Sequence, residues 1–133
     1  MKTVELERTL AAPVDRVWHA LTDPTALATW FWPASFGTRT AVDLRPGGAL
    51  RIEAPGRMAI HGEYVEIDPP RSLTFTWQWD GDDEVTTVRI VLSAKDGGTR
   101  LILRHEGFLD LAARDNHHIG WSDCLDRLSP YLS

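Results

Sequence analysis

Clusters of turn-forming residues divide the middle of this chain, and they constrain its fold more than any other feature. The clusters lie at 46–48, 55–56, 68–70, 80–83 and 96–98, and each combines Gly, Pro or Asp. They predict six strands near 39–45, 49–54, 58–67, 71–79, 84–94 and 99–106. Connections this short join antiparallel neighbours, because parallel strands need a crossover of a dozen or more residues. The central segment is therefore predicted to form an antiparallel sheet.

One face of this predicted sheet is apolar and needs a cover. In the strand at 71–79, alternation puts four large side chains on one face: Leu73, Phe75, Trp77 and Trp79. Near the C-terminus, five residues at helical spacing form an apolar stripe: Trp121, Cys124, Leu125, Leu128 and Leu132. We expect this helix to cover the sheet, and Pro130 to kink or end it near Ser129.

The N-terminal segment adds a strand and two short helices. Alternating polarity from Thr3 to Leu10 predicts a half-buried strand. Pro13 suits the first position of a helix, and Asp23 followed by Pro24 suits the start of another, which ends near Trp30. The order of elements predicts an α+β domain, in which a curved antiparallel sheet of about seven strands wraps around a long C-terminal helix.

Composition places the chain among ordinary globular domains. Its 133 residues suit a single domain spanning 1–133, and 14 basic against 19 acidic side chains give a net charge of −5. Negative charge disfavours binding to nucleic acid. The sequence contains no apolar run long enough to span a membrane, and the N-terminus does not resemble a signal peptide. We therefore expect a cytoplasmic protein without a membrane span.

Catalytic and metal-binding motifs are absent from the sequence. It has no phosphate-binding glycine loop, zinc-protease motif or serine nucleophile motif. Adjacent His117 and His118 point about 100° apart on a helix, so they are poorly placed to share one metal ion. They are interpreted as lying in the exposed first turn of the C-terminal helix. Cys124, the single cysteine, lies on the buried stripe beside acidic neighbours, which disfavours a nucleophile. We expect no metal, no cofactor and no catalytic residue.

The aromatic residues are the most informative set. Six tryptophans occur in 133 residues, and several are clustered. They fill a core in the simplest interpretation, but a curved sheet closed by one helix also leaves apolar space for a ligand. The aromatic candidates for ligand contact are Trp30, Trp32, Phe36, Phe75, Trp77, Trp79 and Trp121. Three polar candidates would orient the ligand: Tyr64, His105 and His117. For Tyr64 and His105, simple burial in the core is the alternative interpretation.

Four stretches of the sequence resemble one known family. They are residues 12–24 with Leu27 and Trp30, residues 62–73, residues 98–108, and Gly120-Trp121 with Leu125 and Leu128. In this order they resemble the domain homologous to the activator of heat-shock protein 90 ATPase, within the START and birch-pollen-allergen-like superfamily. The resemblance implies a helix-grip fold, in which the sheet grips the C-terminal helix around a cavity.

The resemblance leaves several functions open. Superfamily relatives include lipid and hormone carriers, cyclases, aromatases and hydroxylase domains, without a shared catalytic motif. The first hypothesis is a non-catalytic binder of a small apolar, aromatic or lipid-like molecule. The second is a cyclase or hydrolase using His105 or Tyr64 as general acid or base. The third is a co-chaperone or stress-related interaction module, although the chain lacks room for a second chaperone-binding domain. A homodimer through the sheet edge or residues 31–36 is a further expectation.

Overall fold

Seven strands form one antiparallel sheet in the computed structural model, which describes residues 2–133. Along the sheet their order is β1-β7-β6-β5-β4-β3-β2, so the first strand pairs with the last. Consecutive pairing of the other six confirms the run of antiparallel strands. The bounds are β1 (Lys2–Leu10), β2 (Arg39–Val42), β3 (Ala49–Ala54), β4 (Met58–Asp68), β5 (Ser72–Trp79), β6 (Thr86–Lys95) and β7 (Gly98–Phe108).

Two features allow the sheet to curve. Tyr64 pairs with Phe75 while Glu66 pairs with Thr74, so Val65 forms a β-bulge that bends β4. Three residues before the bulge, Gly62 approaches β5 closely, because a Cβ added there would lie 1.9 Å from the Thr76 carbonyl oxygen. Only glycine permits this close approach of the two backbones.

Two short helices follow β1, as the sequence predicts. They are α1 (Val14–Thr22) and α2 (Pro24–Trp30), and a 3-10 turn follows at Ala34–Phe36. The Asp23 carboxylate accepts a hydrogen bond of 2.9 Å from the Ala26 N–H, which confirms its predicted role as the N-cap of α2. Helix α1 begins one residue after Pro13, which occupies the N-cap position.

The long C-terminal helix, α3 (Leu111–Leu132), differs from the sequence prediction at both ends. Asp110 caps it by accepting from the Ala113 N–H at 2.7 Å, so His117 and His118 lie in its second turn and not in its first. Pro130 does not end the helix, which continues to Leu132. Proline removes one backbone hydrogen bond there, but burial of Leu128 and Leu132 holds the last turn against the core.

The core lies between the concave face of the sheet and α3. Leu101 and Leu103 of β7 and Leu125 and Leu128 of α3 are almost completely buried. Helix α3 therefore covers the apolar face, as the two sequence periodicities predict. This arrangement is the α+β helix-grip fold.

Candidate functional site

An apolar pocket lies between the C-terminal end of β5, the middle of α3 and the segment that follows α2. Its volume is about 180 Å³. Asn116 and Gly120 are exposed, so the pocket reaches solvent beside them. We call it the outer pocket; its lining residues are Phe31, Trp32, Trp77, Trp79, Asn116, His117, Gly120, Trp121 and Cys124.

A second, much smaller space lies deeper between the sheet and α3. This inner cavity measures about 20 Å³, which leaves room for about one water molecule. Phe31 and Trp121 line both spaces and separate them. The other lining residues of the inner cavity are Leu21, Leu27, Trp30, Leu50, Ile52, Tyr64, Leu73, Phe75, Ile90, Leu103 and Leu125.

Aromatic rings in edge-to-face contact build the walls of the outer pocket. The rings of Phe31 and Trp121 have centroids 5.6 Å apart at 88°, and those of Trp77 and Trp79 have centroids 5.5 Å apart at 86°. Trp32 lies nearly parallel to Trp79, with centroids 6.4 Å apart. Such contacts fix each ring by its neighbours. The walls therefore offer flat apolar surfaces of defined orientation.

His117 orients the Trp79 side chain at the pocket wall. The Trp79 indole N–H donates to His117 Nε2 at 2.8 Å, and His117 Nδ1 lies 2.7 Å from the Ala113 carbonyl oxygen. A neutral imidazole protonated on Nδ1 satisfies both bonds. His117 is half-buried, and its ring nitrogens are both engaged within the protein.

His105 lies in the core and lines neither space. Its Nδ1 accepts from the Trp121 indole N–H at 2.9 Å, and its Nε2 lies 2.6 Å from the Thr86 hydroxyl, which in turn donates to the Trp77 carbonyl. A neutral imidazole protonated on Nε2 satisfies this chain. Burial, with a smaller contribution from nearby His117, lowers the pKa of His105 to about 3. The histidine therefore holds Trp121 in position.

The indole N–H of Trp77 has no acceptor among residues 2–133, although it is buried. An unpaired buried donor costs about 1–3 kcal/mol. Trp77 lines the outer pocket, but its indole nitrogen is itself buried. A ligand acceptor that reaches the indole nitrogen would remove the cost.

Arg127 and Cys124 of α3 fix the backbone at Phe31. Arg127 Nη2 donates to the Phe31 carbonyl at 2.8 Å, and its Nε donates to the Trp30 carbonyl at 3.3 Å. The Cys124 thiol donates to the same Phe31 carbonyl at 3.1 Å. Burial raises the pKa of Cys124 to about 12, which keeps the thiol protonated and makes it a poor nucleophile. These contacts satisfy carbonyls at the C-terminal end of α2.

The predicted site residues fall into three groups. Trp32, Trp77, Trp79, His117 and Trp121 line the outer pocket. Trp30, Tyr64 and Phe75 line the inner cavity, where burial raises the pKa of the Tyr64 hydroxyl. Phe36 and His105 line neither space, and the Phe36 ring instead faces Arg57, whose guanidinium carbon lies 4.5 Å from the ring centroid. Ligand contact by these residues stays a prediction.

Four lining residues of the outer pocket are missing from the sequence-based set: Phe31, Asn116, Gly120 and Cys124. His117, Gly120, Trp121 and Cys124 follow the spacing i, i+3, i+4 and i+7, which gives one helical face. Extending the apolar stripe of α3 toward its N-terminus would have found Gly120. Phe31 stands between two predicted residues, but no sequence pattern distinguishes its direction from theirs.

Neither a metal centre nor a membrane-spanning helix is found in the part of the chain that the structure describes. No group of three or more His, Cys, Asp or Glu side chains within residues 2–133 is arranged to hold a metal ion. Over the same residues, no helix has the length and hydropathy needed to cross a bilayer.

Several solved structures are similar to this chain. Protein CV1439 from Chromobacterium violaceum is 32% identical, with a TM-score of 0.88, and the match covers 98% of this chain and 96% of that one. CalU16 from Micromonospora echinospora is 30% identical, with a TM-score of 0.80 and coverage of 98% and 76%. DynU16, a protein in the dynemicin biosynthetic locus, is 25% identical, with a TM-score of 0.87. The match covers 99% of this chain but only 47% of DynU16.

The sequence also matches a protein family over most of its length. A comparison with curated proteins returned no match. The sequence profile of one family, however, matches residues 11–133. This range holds α1, α2, all strands except β1, and the whole of α3. The match agrees with the resemblance noted in the sequence. The chain belongs to the family described as activator of Hsp90 ATPase homolog 1-like proteins.

Proposed function

We propose that this protein binds a small apolar or aromatic molecule in the outer pocket without transforming it. The observation that carries the proposal is a pocket of about 180 Å³ whose walls are mainly indole and phenyl rings. Ligand sites are typically apolar concave spaces with few polar groups. Burial of ligand surface against these rings would drive binding, at about 25 cal/mol per Å² before entropic costs.

The arrangement of the polar groups favours binding over catalysis. His105 uses both ring nitrogens in bonds to Trp121 and Thr86, and His117 uses both in bonds to Trp79 and Ala113. Cys124 carries a thiol whose pKa is raised to about 12 by burial. A general acid or base must have a nitrogen or oxygen free to reach the substrate. Both histidines instead support the indole rings that form the pocket.

Relatives give the proposal a context in small-molecule metabolism. DynU16 is a protein in the dynemicin biosynthetic locus, and it shares this fold over 99% of the present chain. A carrier for an aromatic intermediate or product is consistent with that neighbour.

The test uses variants of one lining position. A Cβ added at Gly120 meets no atom within 4 Å, so a larger side chain enters open space without a clash. Calorimetric titration with para-cresol should show binding to the unaltered protein, weaker binding to Gly120→Ala and at least tenfold weaker binding to Gly120→Leu. Ala112→Leu is the matched control, because Ala112 is an exposed residue of α3 that lines neither space. It should bind para-cresol as the unaltered protein does.

Native mass spectrometry on protein purified without detergent complements the titration. A retained small molecule, absent from the denatured mass, would identify the chemical class of the natural ligand. Equal para-cresol affinity in the unaltered protein and Gly120→Leu would contradict the proposal. A failure of para-cresol and other single-ring compounds to bind the unaltered protein, together with a clean native mass, would also contradict it.

A further inference from the structure

We infer that Phe31 and Trp121 set a size limit on the ligand, so that the protein accepts one aromatic ring in its interior and excludes a second. This inference rests on the proposed function and names the ligand class that the outer pocket takes. It predicts that long lipid chains and fused or linked ring systems gain nothing from their additional length inside the protein.

The volumes of the two spaces limit the ligand to one ring. An apolar cavity of about 150 Å³ in another protein holds one benzene molecule. The outer pocket, at about 180 Å³, therefore holds one ring with a small substituent. The inner cavity, at about 20 Å³, has no room for a further ring.

The side chains of Phe31 and Trp121 lie where the two spaces meet. Phe31 and Trp121 are the two residues that line both spaces, and their rings meet edge to face at 5.6 Å. The three consecutive aromatic residues 30–32 line different spaces. Trp30 lines the inner cavity, Phe31 lines both, and Trp32 lines the outer pocket. The pair therefore forms a partition, and a ligand that enters beside Gly120 meets it as the floor.

Hydrogen bonds hold the Trp121 ring and the Phe31 backbone in place. The Trp121 indole donates to His105, which is itself held by Thr86. The Phe31 carbonyl accepts from Arg127 and from Cys124. Movement of the Trp121 ring would break its buried hydrogen bond to His105, which is costly, and the bonds to the Phe31 carbonyl fix the backbone from which the Phe31 ring projects. A ligand is therefore expected to fit the existing pocket.

The test compares one-ring and two-ring ligands in variants of Phe31. Trp121 is unsuitable for substitution, because its loss would leave His105 without its donor. The probes are para-cresol and para-phenylphenol, which share a phenol ring and differ by one further ring. In the unaltered protein the second ring stays in water, so the two affinities should agree within about threefold. In Phe31→Ala the two spaces join, and the affinity for para-phenylphenol should rise at least tenfold relative to the affinity for para-cresol.

Two further variants keep the test decisive. Phe31→Leu is the milder substitution, and it should show the same change in smaller degree if Phe31→Ala fails to fold. Leu73→Ala is the matched control, because Leu73 is buried and lines only the inner cavity. It enlarges that cavity without opening the partition, so the affinity ratio of the two probes should stay unchanged.

The outcomes separate the inference from the proposed function. A tenfold preference for para-phenylphenol in the unaltered protein would overturn the inference while supporting ligand binding. The inference would also be overturned if folded Phe31→Leu or Phe31→Ala had the same affinity ratio of para-phenylphenol to para-cresol as the unaltered protein. If neither probe binds the unaltered protein, the proposed function fails and the inference fails with it.

Discussion

Substitution of His105 by Gln should flatten the pH dependence of stability. The imidazole is fully buried and bonded to Trp121 and Thr86, and burial lowers its pKa in the folded protein to about 3. In the unfolded chain a histidine has a pKa of about 6.5. Below that pH the unfolded chain binds a proton that the folded protein does not. The stability that depends on neutral His105 is thus complete above pH 6.5 and falls as the pH decreases toward 3.

The size of the effect follows from these two pKa values. Each pH unit between them changes the free energy of unfolding by about 1.4 kcal/mol. At pH 5, which lies 1.5 units below the unfolded value, the loss should be about 2 kcal/mol. His105→Gln can accept from the Trp121 indole and donate to the Thr86 hydroxyl but does not titrate, so it should lack this part of the pH dependence.

The assay is urea unfolding at several pH values between 5 and 8, followed by tryptophan fluorescence. His105→Gln should be less stable at pH 8, but its loss between pH 8 and pH 5 should be about 2 kcal/mol smaller than that of the unaltered protein. His118→Gln serves as the matched control, because His118 is an exposed residue of α3. Identical pH dependence in the unaltered protein and His105→Gln would refute the reasoning. It would also restore His105 as a candidate general base.

Three further predictions concern the walls of the outer pocket. Gly120→Ala should raise the free energy of unfolding by about 1 kcal/mol in urea titration, because glycine is unfavourable within a helix and the added methyl group meets no atom within 4 Å. A lower free energy of unfolding would show that the position is crowded. Arg127→Met should lower the free energy of unfolding by about 2 kcal/mol and weaken para-cresol binding, because the Trp30 and Phe31 carbonyls lose a charged donor. An unchanged affinity for para-cresol would show that Phe31 needs no such support. Trp77→Phe removes the unpaired indole donor, so acetophenone, which has a carbonyl acceptor, should lose up to tenfold in affinity relative to isopropylbenzene, which has none. The same affinity ratio in Trp77→Phe and the unaltered protein would show that the donor does not reach the ligand.

Local patterns in the sequence were sufficient to predict the fold. Turn residues separate the strands of the central run, and the capping role of Asp23 follows from its place before Pro24. Alternation and helical periodicity identify which faces are buried, because side-chain direction repeats every 2.0 residues in a strand and every 3.6 in a helix. The start of α3 was the main error. The missed part, residues 111–116, carries exposed residues such as Leu111 and Asn116, which form no apolar stripe, and the cap at Asp110 was the available signal.

The candidate site was predicted only in part. Five of the ten predicted contact residues line the outer pocket, three line only the inner cavity and two line neither space. Periodicity correctly placed Phe75 and Trp77 on the same face of β5. It gave no means of telling that Phe75 lines the inner cavity and Trp77 the outer pocket.

The sequence by itself determined the order of the elements, their buried faces and the family to which the chain belongs. Only the tertiary structure decided where space is left between those faces. Phe31 became part of a partition because α2 ends opposite Trp121, and His105 became a support because the Trp121 indole reaches it. The direction of a side chain is a local property of the backbone. The volume of a cavity depends on how side chains distant in sequence pack together, and a local sequence pattern does not determine this packing.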